Sequence, residues 1–229
     1  MATALDLQEQ EQLDDLKAFW KRWGNLITGL LTVALLAFAG WNGWNWYQRD
    51  QGAKAAAMFE ALDAAAVAGD ADKAGRVFGD LKERFPRTVA AAQGGLLAAR
   101  VQLDKGQTDN ARATLTWLAD NAAEDEYRTL AHLRLAGLAL DAKQADVALK
   151  ALDAAKAPAF AGLVADRRGD VLLSQGKKDE AKAAYQAAYK AMDEKIDYRR
   201  LVEAKLIALG APPQPVDGAA SAAASGVAK

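Results

Sequence analysis

Apolar residues crowd one stretch of this chain and recur at helical spacing through the rest. Residues 26–38 are apolar apart from Thr28, Gly29 and Thr32, and residues 39–47 extend the run with Trp41, Trp44, Trp46 and Tyr47. About 22 residues of helix, at about 1.5 Å each, reach roughly 33 Å, enough to cross a hydrocarbon layer of about 30 Å. Trp20 and Trp23 precede the run, and Trp41, Trp44 and Trp46 close its far end, so five of the six tryptophans belong to it. Interfacial indoles keep the ring among headgroups and the N–H in water, so an aromatic belt at each end predicts a membrane span. Residues 14–23, with Leu13, Leu16, Trp20 and Trp23 near one face, read as a short amphipathic helix leading into it.

A cleaved signal peptide is the rival reading, since Ala37-Phe38-Ala39 has small residues at cleavage spacing. A signal n-region is short and basic, whereas here a long segment carries Asp6, Glu9, Glu11, Asp14 and Asp15. A retained anchor is therefore expected. Lys17, Lys21 and Arg22 flank the near end and Arg49 and Lys54 the far end. That bias places the N-terminus in the cytoplasm and residues from about 50 onward across the membrane.

Beyond the span the pattern repeats. Gly69, Gly106, Lys143 and Gly176 are spaced by 37, 37 and 33 residues, near the tetratricopeptide period of about 34. Five residues after each comes an alanine: Ala74, Ala111, Ala148 and Ala181. Four further on comes a larger apolar residue: Phe78, Leu115, Leu152 and Tyr185. Seven residues before the turn stand Ala99, Ala136 and Gly169, with Leu62 in the weaker first repeat. A glycine at the turn permits the positive φ that ends a helix, small residues let paired helices approach, and the larger residue fills the gap beside them. Lys143 takes the place of a glycine, so the third turn is expected to be made differently. Pro86 and Pro158 mark chain reversals. An Ala-rich bundle without true repeats is the alternative.

A last helix is expected over residues 196–209, packing through Leu201, Ala204, Leu206 and Leu209 and closing a stack that would otherwise end on an apolar face. From Ala211 the chain is Pro, Ala, Ser and Gly and cannot bury enough surface to order itself. The expected organisation is all-α: a cytoplasmic segment (1–25), a single transmembrane helix (26–47), a tetratricopeptide-like solenoid of helical hairpins with a C-terminal capping helix (48–210), and a disordered tail (211–229).

Composition narrows the chemistry. Abundant alanine favours helix. A net charge of -1 gives no field that would steer the protein to nucleic acid. With no cysteine there is neither disulfide nor thiolate. His132 is the only histidine, which makes a metal site or a Ser-His triad a poor reading. Gly94-Gly95 lies inside a helical pattern rather than in a phosphate loop. The acidic runs Glu124-Asp125-Glu126 and Asp179-Glu180 stand at helix starts, where the helix dipole favours them. Arg167-Arg168 and Lys177-Lys178 read as solvated. No catalytic residue, cofactor, metal or small-molecule substrate is expected, and the chain reads as a non-enzyme.

Two stretches carry a family resemblance. One is residues 13–25, Leu-Asp-Asp-Leu-Lys-Ala-Phe-Trp-Lys-Arg-Trp-Gly-Asn, running into the span. The other combines residues 133–136 (Leu-Arg-Leu-Ala), 143–153 (Lys-Gln-Ala-Asp-Val-Ala-Leu-Lys-Ala-Leu-Asp) and 164–177, with its Ala-Asp-x-Arg-Gly core. Over roughly residues 5–210 the chain resembles the YfgM-like ancillary subunits of the bacterial Sec translocon. The resemblance implies a cytoplasmic N-terminus, a periplasmic repeat domain in the inner membrane, and association with the SecYEG channel. It also implies a membrane-anchored periplasmic chaperone such as PpiD as partner, and a role in passing newly translocated proteins to chaperones.

In such stacks the first helices of successive repeats line a concave face. Register places Leu96, Leu133 and Asp166 in one row, Arg100, Gly137 and Asp170 in a second, and Leu103, Leu140 and Leu173 in a third. These rows are the candidate partner groove, apolar pockets edged by charge. The alternative is that the leucines are core. A scaffold in another envelope complex, a client-holding chaperone and a cytoplasmic stress adaptor are the competing functions.

Overall fold

The computed structural model describes residues 7–213, with side chains from residue 12. The tail expected to be disordered falls almost wholly outside the described residues, as does Asp6. Every regular element among the described residues is helical: α1 (Leu7–Val67), α2 (Ala71–Arg84), α3 (Val89–Asp104), α4 (Thr108–Asn121), α5 (Asp125–Asp141), α6 (Ala145–Ala154), α7 (Ala161–Ser174), α8 (Lys178–Ala191) and α9 (Tyr198–Ala208), with a 3-10 turn at Pro158–Phe160 before α7. The chain divides into two compact units, to Ala53 and from Lys54, with α1 continuous through the division. The amphipathic segment and the span are thus parts of one helix rather than two.

The first unit holds the N-terminal portion of α1. Its aliphatic and aromatic side chains face outward, Leu30 and Trp46 each 70% exposed. One 18-residue window has a mean hydropathy of 1.6, long and apolar enough to cross a bilayer. Thr32, inside the apolar run, donates its hydroxyl to the Thr28 carbonyl at 2.8 Å and so leaves no orphan donor on that face. Lys17 pairs with Asp14 at 3.0 Å one turn away.

The second unit is the repeat stack. The end of α1 packs on α2, Leu62 with Phe78 and Ala55 with Leu81, then α3 with α4, α5 with α6 and α7 with α8 complete four hairpins, and α9 packs on α8. The first helices also neighbour one another, α3 against α5 and α5 against α7. Each first helix closes in the same way. Gly69, Gly106 and Gly176 have φ of 65°, 74° and 76°. The turn N–H bonds the carbonyl three residues back and the next N–H bonds the carbonyl five back, as in Gly106 N to Leu103 O at 2.9 Å and Gln107 N to Gln102 O at 2.8 Å. This is the Schellman arrangement, which satisfies carbonyls that the helix end would leave unpaired. Lys143 makes the same turn, at φ 60°, with the same two bonds, Lys143 N to Leu140 O and Gln144 N to Ala139 O. The expectation of a different third turn is corrected: two well-placed hydrogen bonds outweigh the strain of a side chain in the left-handed region.

A fifth such turn stands at Gly210, φ 71°, 34 residues after Gly176. So α9 closes as the first helices of the hairpins do, with Gly210 N bonded to Ile207 O and Ala211 N to Leu206 O, although Glu203 stands where α3, α5 and α7 carry a small residue. It packs through Val202 and Leu206, both buried, with Leu209 against the same cluster. Leu201 is 49% exposed and Ala204 is exposed, so of the four residues expected to pack, two do not. One turn of helix separates 202 from 206, so these two share the inward face and 201 is rotated off it.

Small and large residues are matched across each hairpin. Ala99 with Leu115 and Ala136 with Leu152 share core clusters. In the fourth repeat Gly169 lies under the Tyr185 ring, where a Cβ would fall 2.5 Å from Tyr185 Cε1. In the first repeat Leu62 and Phe78 are both large, and the space comes from α3. A Cβ on Gly94 would meet Leu81 Cδ2 at 2.9 Å, and one on Gly95 would meet Phe78 Cε2 at 3.1 Å. Trp117, the sixth tryptophan, packs edge-on to Phe78, centroids 5.4 Å apart, and ties the second repeat to the first.

Candidate functional site

The first-helix face carries the residues that register brought into rows. Leu96 and Leu103 on α3 are half-buried against the cluster around Leu115. Leu133 and Leu140 on α5 are half-buried against the cluster around Leu152. Leu173 on α7 is 38% exposed. Leu103, Leu140 and Leu173 also supply the carbonyls that accept the turn N–H, so this row recurs with the cap itself. Arg100 is exposed and lies 3.9 Å from Asp104 on its own helix. Gly137, at the equivalent place on α5, is half-buried with nothing within 4 Å of a built Cβ. Gln93 on α3 reaches Tyr127 on α5 at 3.1 Å, so neighbouring first helices are cross-linked along this face. The arrangement offers apolar shelves and an arginine to an elongated ligand.

Asp166 and Asp170 sit apart from the shelves, in a network that joins α7 to α8 and α9. Asp166 is 1% exposed. Lys205 of α9 donates to both Asp166 oxygens at 2.8 and 2.9 Å and to Asp170 at 2.7 Å. The Tyr198 hydroxyl donates to Asp166 and the Tyr185 hydroxyl to Asp170, both at 2.8 Å. Arg167 lies 3.5 Å from Asp170. Desolvation first, then the Asp166 hydrogen bond, pushes the Tyr198 phenol up to about 12, and the same causes, with Asp170 as acceptor, push Tyr185 up further. Both phenols therefore stay protonated donors throughout the neutral range. These two carboxylates are satisfied within the chain, and removing one partner of such a network costs about 3–5 kcal/mol. Sequence register places both in the lining rows of the candidate groove; nothing in it signals α9 folding back onto them across more than thirty residues.

His132 lies half-buried on α5, its pKa lowered by desolvation and partly restored by Asp120. No group of three or more His, Cys, Asp or Glu able to hold a metal occurs among the described residues. Glu124 and Asp125 do stand at the start of α5, and Asp179 and Glu180 in the first turn of α8.

Residues 17–211 match the family described as tetratricopeptide repeat-like domain. A protein of Neisseria gonorrhoeae named ancillary SecYEG translocon subunit is 31% identical over 207 residues, which cover 90% of this chain and 99% of the relative. The Escherichia coli protein of the same name is 30% identical over 185 residues, covering 80% and 87%. One from Haemophilus influenzae, also so named, is 24% identical over 189 residues, covering 81% and 90%.

Proposed function

This chain belongs to the tetratricopeptide-like family of ancillary SecYEG translocon subunits, and on that premise we propose that it is a non-enzymatic adaptor anchored beside the channel. In this reading residues 26–47 span the inner membrane, the N-terminus is cytoplasmic and the repeat stack is periplasmic. The stack receives segments of newly translocated proteins, or of a membrane-anchored PpiD-like chaperone, and brings the two together. Leu96, Arg100, Leu103, Leu133, Leu140 and Leu173 form the contact surface, and Asp166 and Asp170 hold its C-terminal end in shape. The observation that carries the reading is one chain with both an exposed apolar helix of membrane-spanning length and a closed repeat stack. An anchor beside the channel raises the local concentration of the stack near emerging chains, so each contact need only be weak.

The chain has no cysteine, so single-cysteine variants report topology without background. A cysteine at Gln12 is expected to resist a membrane-impermeant maleimide in spheroplasts, and one at Lys150 to react. A photo-crosslinker replacing Arg100 is expected to capture a SecYEG subunit or the chaperone, and the same group at Lys150 to capture neither. Labelling of Gln12 instead of Lys150 would reverse the topology; silence at Arg100 would remove the first-helix face from the mechanism.

A further inference from the structure

A second feature lies on the other side of the stack, among the second helices, and stands apart from the reading above. Between α2 and α4 is a cavity of about 410 Å³ whose lining is mainly polar, with Gln102 of α3 at its floor. Gln102 is only 5% exposed and Thr114 only 7%. The Thr114 hydroxyl donates to Gln102 Oε1 at 3.0 Å, which fixes the orientation of the amide. Its Nε2 faces Gly75 and has no acceptor among the described residues. The side chain is nearly buried but this nitrogen opens onto the solvent of the cavity, where the acceptor of a ligand can take the place of water.

The charges around the cavity indicate which ligand. Arg76 and Lys82 both line it, and neither has a carboxylate within ion-pair reach among the described residues. Lys82 instead lies over the Phe78 ring, 5.7 Å from its centroid. The one acidic wall residue, Asp72, already accepts from Gln107 Nε2 at 2.8 Å, and Asn110 donates to Gln107 Oε1 at 3.1 Å. That chain of amides holds the Asp72 carboxylate toward Gln107 without removing its charge, and Arg76 with Lys82 outnumber it, so the lining stays net positive. Gly75 keeps the entrance clear, since a Cβ there would stand 3.2 Å from Gln102 Nε2.

We propose that this cavity binds a carboxylate presented by an acidic peptide segment. Gln102 Nε2 donates to one carboxylate oxygen while Arg76 and Lys82 offset its charge, and charge-assisted bonds of this kind are about twice as strong as neutral ones. The site gives the stack a second point of attachment on the side away from the first helices.

The test uses the full chain, ¹⁵N-labelled, in lipid nanodiscs. The readout is the side-chain amide of Gln102, assigned by its loss in Gln102→Leu. The probes are acetylated alanine heptapeptides: one with a central glutamate and an amidated end, one with a central glutamine and a free end, one with glutamine and an amidated end, and one with a central lysine and an amidated end. A saturable shift with either carboxylate peptide is expected, and which of the two gives it identifies a side chain or a C-terminus as the source. Arg76→Gln is expected to weaken binding about tenfold, the scale of one charge-assisted bond. Gly75→Ala improves helix propensity, so the fold is kept, yet its methyl crowds the amide and binding is expected to fall by a similar factor. The proposal is overturned if no carboxylate peptide gives saturation at millimolar concentration. It is equally overturned if the lysine or uncharged peptide binds as well, or if Gly75→Ala and Arg76→Gln both bind like the parent chain.

Discussion

Lys143 holds φ at 60°, a conformation that places its Cβ against the following carbonyl. Its three counterparts in the other hairpins, and Gly210, are glycines free of that contact. Lys143→Gly removes the clash but gives the unfolded chain more freedom, so the net gain is about 0.5–1 kcal/mol. For a domain of this size that raises Tm by about 1–4 °C in a thermal melt. Lys143→Ala leaves the strain in place and is expected not to raise Tm. A fall in Tm for the glycine variant would mean that the Lys143 side chain contributes contacts larger than its backbone strain. The turn positions themselves were legible in the sequence, because only a few residues tolerate the left-handed region. The conformation of Lys143 was not, because it is imposed by two hydrogen bonds from its neighbours rather than by its own preference.

Each hairpin is an element in which one small and one large residue share a fixed volume. Gly169 and Tyr185 are the extreme case, with the ring occupying the space that Ala99 and Ala136 fill with a methyl in the preceding repeats. Tyr185 is 1% exposed and its hydroxyl is held by Asp170, so the ring cannot swing away. Gly169→Ala is therefore expected to destabilise by about 1–3 kcal/mol through overpacking, despite better helix propensity. Tyr185→Leu alone leaves a void and removes one of the donors to Asp170, which keeps Lys205 and Arg167. The double variant restores the alanine–leucine pairing of the second and third repeats and is expected to be more stable than the sum of the two single changes. A double-mutant cycle by urea denaturation measures that coupling, and simple additivity would show that the two residues do not share space. The small and large positions were visible in the sequence as a repeat. So was their pairing in the second to fourth hairpins; the first was not, since there Gly94 and Gly95 of the next repeat make the room for Leu62, Phe78 and Leu81.

The whole molecule combines an apolar helix with a stack that buries its own core. If residues 26–47 stay in the bilayer, alkaline carbonate is expected to leave the full chain in the membrane pellet, and a chain beginning at Lys54 to appear folded in the supernatant. Release of the full chain by carbonate would end the anchored reading. The sequence by itself determined the all-helical class, the apolar run and the repeat period, because each depends on local propensity or on residues within one turn of each other. It did not separate groove from network. Asp166 and Asp170 share register with Leu133 and Gly137, yet Tyr198 and Lys205 reach them from α9. It also did not place the unpartnered Gln102 amide between α2 and α4. Both are decided by contacts between helices far apart along the chain, and packing of that kind follows from volume and hydrogen-bond satisfaction in three dimensions, which a linear pattern does not encode.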